Sequence, residues 1–138
     1  MQSRLVDTNV IVRYLVEDPG AIDPKFRGVY SFFSKLEKGE VKAHLPELVL
    51  FQAYFVLTSF YKVPRAEAAE KLERLLGFKG LDFPQKRVAA ACMRRLQAEN
   101  LDIVDAYLLA WADEHGIEGV YSFDSDLKKK GLRVLKVQ

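Results

Sequence analysis

Short β-compatible pieces alternate with helical stretches along the whole of this 138-residue chain, and that alternation most restricts the folds open to it. Residues 3–6 form a brief β-compatible entry, stopped by the cap-forming side chains of Asp7, Thr8 and Asn9. A helix is expected over 10–17, ended by Asp18-Pro19-Gly20. A second is expected over 25–37, where Phe26, Val29, Tyr30, Phe33 and Leu36 recur at helical spacing before Gly39. Residues 41–45 read as a strand, and Pro46 suits the first turn of a helix running to about 61. Further helices are expected over 65–76, around Val88, Ala91, Cys92 and Leu96, and over 102–115 up to Gly116. Strands are expected over 81–83, 119–123 and 133–137, with a helical turn over 125–130. Strands and helices in this order imply parallel β-α units with helices on both faces of the sheet, a three-layer α/β/α sandwich with a short, mainly parallel central sheet. In such sheets ligands gather outside the carboxyl ends of the strands.

Composition removes several other classes. The hydrophobic fraction of 49% argues against disorder, and a single cysteine excludes an intramolecular disulfide framework. Cys92 has no second cysteine and no histidine at metal spacing, which speaks against structural zinc. The N-terminus lacks the apolar core of a signal peptide, and the apolar run over 48–57 is too short to cross a bilayer. These features together read as one soluble domain over 1–138 in a reducing, cytoplasmic setting. A formal charge of +2 neither demands nor excludes nucleic acid, because a binding groove needs only local asymmetry.

Three acids fall where a strand hands over to a helix or where a buried helix begins. Asp7 follows Leu5-Val6, Asp124 follows Val120-Tyr121-Ser122-Phe123, and Asp105 lies in the first turn of the apolar helix. Each has a plain structural reading: Asp7 and Asp124 as caps or turn-formers, Asp102 and Asp105 as charges suited to a helix N-terminus. Gathered at one sheet edge, they would repel and raise one another's pKa unless a cation neutralised them. A hard divalent ion such as Mg²⁺, or Mn²⁺ in its place, suits oxygen ligands of this kind, and such a site supports hydrolysis of phosphodiesters. No Gly-rich phosphate loop or G-x-S-x-G elbow competes with it, and His115 fits better as a helix C-terminal residue.

The opening Val6-Asp7-Thr8-Asn9-Val10-Ile11-Val12-Arg13-Tyr14-Leu15 resembles the first motif of the PIN domain family, in its VapC-type toxin ribonuclease branch. Leu101-Asp102-Ile103-Val104-Asp105-Ala106 resembles its central acidic motif and Ser122-Phe123-Asp124-Ser125-Asp126-Leu127 its last. Residues 48–65, ending Tyr61-Lys62-Val63-Pro64-Arg65, fit its second region, so four motifs occur in the family's order. The resemblance implies a Mg²⁺- or Mn²⁺-dependent endoribonuclease neutralised by a VapB-like antitoxin, commonly as a homodimer. It makes Asp7, Asp105 and Asp124 metal ligands, with Asp126 as an outer contact. It also lets Asn9 and Ser122 brace the carboxylates, with Thr8 a possible cap of the first helix.

One position departs from the pattern. The family's second acid falls at position 52, where this chain has Gln52, so four carboxylates become three. The amide keeps an acceptor oxygen but not the charge, and metal affinity is expected to fall by about one or two orders of magnitude. Glu47 is a poor substitute, lying about 140° round the helix from Gln52. The plain reading of Gln52 is a buried amide bonded to backbone groups.

An RNA substrate requires positive charge beside the acids, and Arg13, Lys62 and Arg65 flank the motifs. Lys128, Lys129 and Lys130 are further candidates or a solvated face, and Arg94 and Arg95 are expected on the exposed side of their helix. Phe26, Tyr30, Phe32 and Phe33 crowd one short helix. Most are expected in the core, with enough apolar surface left over for a contact face; the resemblance puts an antitoxin groove among these early helices. Two other readings stay open. One is a PIN module without catalysis that binds RNA or a protein, motivated by Gln52. The other is a phosphatase using Asp7 as nucleophile, disfavoured because Asn9 stands where a second acid is needed.

Overall fold

The computed structural model describes residues 4–138, and its contacts divide the chain into two compact units, Met1–Pro84 and Gln85–Gln138. Ser3, the first residue of the expected opening strand, lies outside the described residues.

In the first unit, three strands of two residues each, β1 (Arg4–Leu5), β2 (Ala43–His44) and β3 (Leu81–Asp82), form a parallel sheet in the order β1-β2-β3. The register aligns Leu5 with His44 and His44 with Asp82. Two helices, α1 (Thr8–Val16) and α2 (Gly28–Lys38), lie between β1 and β2. Two more, α3 (Glu47–Ser59) and α4 (Arg65–Leu76), lie between β2 and β3. Helix α1 packs on α2 and α3, and α3 on α4. Ile11, Phe33, Leu36, Leu50, Leu57 and Leu72 are fully buried in these helices.

The helix ends follow local chemistry. Asp7, with extended backbone, caps α1, so the helix starts two residues earlier than apolar periodicity suggests. Pro46 and Pro64 stand immediately before α3 and α4, and Gly39 closes α2 at φ 81°. The single helix expected over 25–37 is two pieces: a 3₁₀ turn, Pro24–Phe26, then α2 after Arg27. Asp23 caps the turn through the Lys25 N–H. Of the four aromatics in this region only Phe33 is core; Phe26, Tyr30 and Phe32 are half-exposed.

The second unit holds α5 (Lys86–Ala98), α6 (Ile103–His115), a 3₁₀ turn (Asp126–Lys130) and a parallel pair, β4 (Gly119–Tyr121) with β5 (Arg133–Leu135). Helices α5 and α6 pack along one another, with Val88, Ala89, Cys92, Ala106 and Ala110 buried. Burial pushes the Cys92 thiol up to about 12, which makes it inert packing material rather than a nucleophile. Arg95 is not on an open face as expected. It donates to Glu99 one turn on and to Asp113 of α6, at 3.1 and 2.7 Å, while Lys130 of the basic run reaches Glu99 at 3.0 Å. His115 ends α6 before Gly116, as the sequence suggests.

The five strands sit where the sequence puts them but are two or three residues long, and every pairing is parallel. Among the described residues no helix is long and apolar enough to cross a membrane.

Gly80 is the most crowded glycine of the first unit. Its N–H donates to the Leu36 carbonyl at 2.7 Å and its own carbonyl accepts from Ala43 of β2 at 2.9 Å. A Cβ at this position would overlap the Val41 carbonyl oxygen and sit 2.9 Å from that of Leu36. Both obstacles are backbone and cannot swing away. Gly80→Ala is therefore expected to destabilise by about 3 kcal/mol, the upper end of overpacking costs, read as a lowered midpoint in urea unfolding. An unchanged midpoint would mean that the turn before β3 yields freely.

Candidate functional site

The first unit gathers one half of the expected site. Asp7 leaves β1 after Val6, whose N–H donates to the His44 carbonyl at 3.1 Å and so holds the strand's end in place. The Asp7 carboxylate accepts from the Thr8 N–H at 2.7 Å. It is thus the cap of α1, and Thr8, the alternative cap, is instead the first helical residue. Thr8 is the one buried polar side chain among the described residues, and its hydroxyl donates to Gln52 Oε1 at 3.3 Å. Gln52 is not the buried, backbone-bonded amide of the plain reading: it is exposed on α3, and its recorded partner is a side-chain hydroxyl. Asp7, Thr8, Asn9, Arg13, Gln52 and Tyr61 line an open cavity of about 320 Å³.

The three expected phosphate contacts sit differently. Arg13 is on the cavity wall, but its guanidinium is 2.6 Å from Glu17 and lies 4.1 Å over the Phe26 ring, so part of its charge is answered. Lys62 is exposed in the α3–α4 turn, held in the left-handed region at φ 57°. Arg65, the first residue of α4, donates through Nε to the Tyr54 hydroxyl at 3.2 Å.

The second unit gathers the other acids. Asp102 caps α6 by accepting from the Val104 N–H at 2.8 Å, which leaves Asp105 in the first turn, half-buried. Burial raises the Asp105 carboxyl above the usual range, and the charges of Asp102, Asp124 and Asp126 raise it further. Among the described residues, each charge that shifts it is another aspartate. After β4, the Ser122 hydroxyl accepts from the Asp124 N–H at 2.9 Å, and the Asp124 carboxylate accepts from the Asp126 N–H at 3.0 Å. Ser122 thus braces the backbone of this turn, one step removed from the carboxylate. Asn9 lines the first unit's cavity, and Asp126 starts the last 3₁₀ turn.

Among the described residues, no group of three or more His, Cys, Asp or Glu side chains is arranged to hold a metal ion. The donor chemistry of Asp105 and its neighbours nevertheless fits a hard divalent cation: the candidate donors are carboxylate oxygens, and Asp102, Asp124 and Asp126 raise the proton affinity of Asp105. Thr8 and Tyr61 are cavity residues that sequence reasoning missed. Thr8 meets Gln52 across 44 positions of chain, a pairing for which the sequence carries no local signal.

These features define an α/β protein with Asp7 and Asp124 after strand ends and Asp105 in the first turn of α6, where Asp7 and Asp102 also serve as helix caps. The chain belongs to the PIN domain family, which matches residues 4–132 and with them both units. A VapC ribonuclease from Aquifex aeolicus (strain VF5) is 24% identical over 132 residues, an alignment covering 96% of this chain and 95% of that protein.

The Asp105 environment sets a stability dependence on pH. An acid whose folded pKa is raised binds more protons in the native than in the unfolded chain between the two values, so stability falls as pH rises through that window. Ionised Asp105 is thus a cost at neutral pH. Asp105→Asn is expected to raise Tm at pH 7 in metal-free buffer, with the gain vanishing below the ordinary value of 3.8, where both states are protonated. Melting curves at the two pH values check this, and a lower Tm for the variant at pH 7 would make the carboxylate a structural asset instead.

Proposed function

We propose that this chain is a divalent-metal-dependent endoribonuclease of the VapC type, acting in the cytoplasm and neutralised by a VapB-like antitoxin. The observation that carries the reading is the Asp105 carboxyl, half-buried and, among the described residues, raised by its burial and by the charges of Asp102, Asp124 and Asp126. Surplus negative charge of this kind is built for a cation rather than for folding. Asp7, Asp105 and Asp124 would hold the ion. When bound, Mg²⁺ or Mn²⁺ supplies a Lewis acid for the phosphoryl oxygen and a water nucleophile at neutral pH.

The chain's own residues have definite tasks in this reading. Asp7 is oriented by its hydrogen bond to the Thr8 N–H, so one carboxylate oxygen is committed and the other is free to ligate. Ser122 fixes the turn that carries Asp124. Arg13, Lys62 and Arg65 supply positive charge to a phosphate backbone, Arg13 from the wall of the Asp7 cavity itself. The antitoxin and a homodimeric assembly belong to the same proposal. The half-exposed rings of Phe26, Tyr30 and Phe32 offer apolar contact area for a partner.

Gln52 favours a second reading, a PIN module that binds RNA or a protein without cutting. Its side chain shares the cavity with Asp7, so the position lacking a charge is one that faces the acid. The Thr8 hydroxyl already donates to Oε1 there, and a glutamate at position 52 would accept the same bond. Gln52→Glu is accordingly expected to keep the fold and to tighten metal binding by about 10- to 100-fold. Cleavage of a labelled structured RNA with Mg²⁺ or Mn²⁺, run for both proteins, decides between the readings. Cutting by the Glu form alone marks a nuclease weakened at position 52, equal cutting shows that three aspartates suffice, and binding without cutting by either favours the module.

Asp7 separates ligation from capping. Asp7→Asn retains a cap and is expected to abolish cleavage with Tm nearly unchanged, whereas Asp7→Ala loses both, at about 1 kcal/mol of stability. Cleavage surviving in the Asn form would leave Asp7 a cap and nothing more.

A further inference from the structure

Two aromatic side chains beside Asp124, in the second unit, are left uncovered. Tyr121, the last residue of β4, is 72% exposed, and Phe123, next to Asp124, is 92% exposed. Neither ring meets another ring or a cation among the described residues. The register sets Arg133 of β5 beside Gly119 and Leu135 beside Tyr121. Residues paired in this way project to one face, as do residues two apart on a strand. The Leu135 side chain accordingly leans over Gly119, 3.1 Å from where a Cβ would stand, and Tyr121 and Arg133 share that face. From Leu127 to Gln138 the chain carries five Lys or Arg and no Asp or Glu. Lys130 is answered by Glu99, but Lys128, Lys129, Arg133 and Lys136 are exposed and make no ion pair among the described residues.

Open rings beside unanswered cations suit a partner that has both flat apolar faces and negative charge. An apolar peptide would use the rings but not the cations. A duplex RNA would use the cations, but its bases are already stacked on one another. An unpaired stretch of RNA uses both, its bases on aromatic rings of a sheet surface and its phosphates on the cations. Position argues the same way, because Phe123 adjoins Asp124 in the chain, so RNA brought to that carboxylate is within reach of this ring. We propose that Tyr121 and Phe123 are a stacking platform for unpaired nucleotides of the RNA, and that Arg133 holds a phosphate beside them. The proposal rests on the ribonuclease reading for its substrate. It adds that the RNA is single-stranded where it passes Asp124 and is gripped there by two rings.

Both rings are exposed, so their replacement is expected to leave Tm unchanged. Oligoribonucleotides, single-stranded or annealed to their complements, are titrated by fluorescence anisotropy in EDTA, so that no cleavage intervenes. Tyr121→Ala and Phe123→Ala are each expected to weaken single-strand binding about tenfold, the scale of one stacked base. Phe123→Trp should keep the affinity and Phe123→Leu should not, because stacking needs a ring whereas apolar contact does not. Duplex binding should barely change in any of the four. Arg133→Gln should lower the slope of log affinity against log salt by about 0.7, the share of one phosphate contact on a single strand. Affinity kept in both alanine variants, an equal loss on duplex RNA, an unchanged salt slope, or no binding of any oligonucleotide would each overturn the platform. Full rescue by Phe123→Leu would mark an apolar contact for a protein and overturn it too. Metal-dependent cleavage is scored separately: cleavage without these losses leaves the nuclease reading standing and removes the platform, and the losses without cleavage do the reverse.

Discussion

Pairing of β2 with a neighbour on each side is the constraint on which the first unit depends. The strands are two residues long, too short to hold themselves by side-chain packing, so their register is set by a few backbone bonds. Val6 donates to His44, Ala43 to Gly80 and Leu45 to Asp82, at 3.1, 2.9 and 2.8 Å. These bonds fix where β1 stops, and the next residue is Asp7. A slip of β1 by one residue in its pairing with β2 would turn its side chains to the other face and move Asp7 from the start of α1. The close approach at Gly80 serves the same end, because only a residue without a side chain lets the chain into β3 pass the carbonyls of Leu36 and Val41. The catalytic candidate of this unit is thus positioned by backbone geometry before any side chain acts.

Capping and ligation are commonly weighed as rival explanations of an acid at a helix start. In Asp7 they would use different atoms of one group. A cap commits a single oxygen to a backbone N–H, as Asp7 does to Thr8, and Asp124 commits one in the same way to the Asp126 N–H in the turn after β4. The second oxygen is left with its lone pairs, and the first bond has already fixed its direction. Asp102 and Asp105 divide the same labour between two residues: Asp102 caps α6, and Asp105, in its first turn, carries the carboxyl whose pKa burial and its acidic neighbours raise. An acid at a strand-to-helix turn is oriented at little entropic expense, which explains why such turns suit metal chemistry.

Much of this organisation was legible because polar stops punctuate the chain. Asp7, Gly39, Pro46, Pro64, Asp102 and Gly116 mark element boundaries by mechanisms that act locally, and the structure has boundaries at all six. What was not legible depended on contacts distant in sequence. Helix α3 is apolar nearly all round, so periodicity could not tell which face is covered; Leu48, Gln52 and Phe55 turn out to share the open one. The break at Arg27 was hidden because apolar spacing runs on through it, while Phe26 stays outside the core under cations from α1 and from its own turn. Arg95 was misplaced for a similar reason. Its bond to Glu99 is local, but the one to Asp113 requires the neighbouring helix.

Gln52 joins these threads. Were it an ordinary core substitution, it would be buried among apolar neighbours and satisfied by backbone groups. It is instead exposed, on the cavity wall beside Asp7, and bonded to the one polar side chain that the described residues bury. A hydroxyl kept out of water is costly unless it has a partner, so Thr8 requires an acceptor oxygen at position 52 whatever residue supplies it. Glutamine and glutamate meet that demand equally, whereas a hydrocarbon would not. Folding therefore constrains the position to an acceptor, and only the chemistry beside Asp7 distinguishes charged from neutral. On the nuclease reading, an amide rather than an acid at this place would keep the oxygen that Thr8 bonds and remove a charge beside Asp7, altering the electrostatics of the site more than its packing.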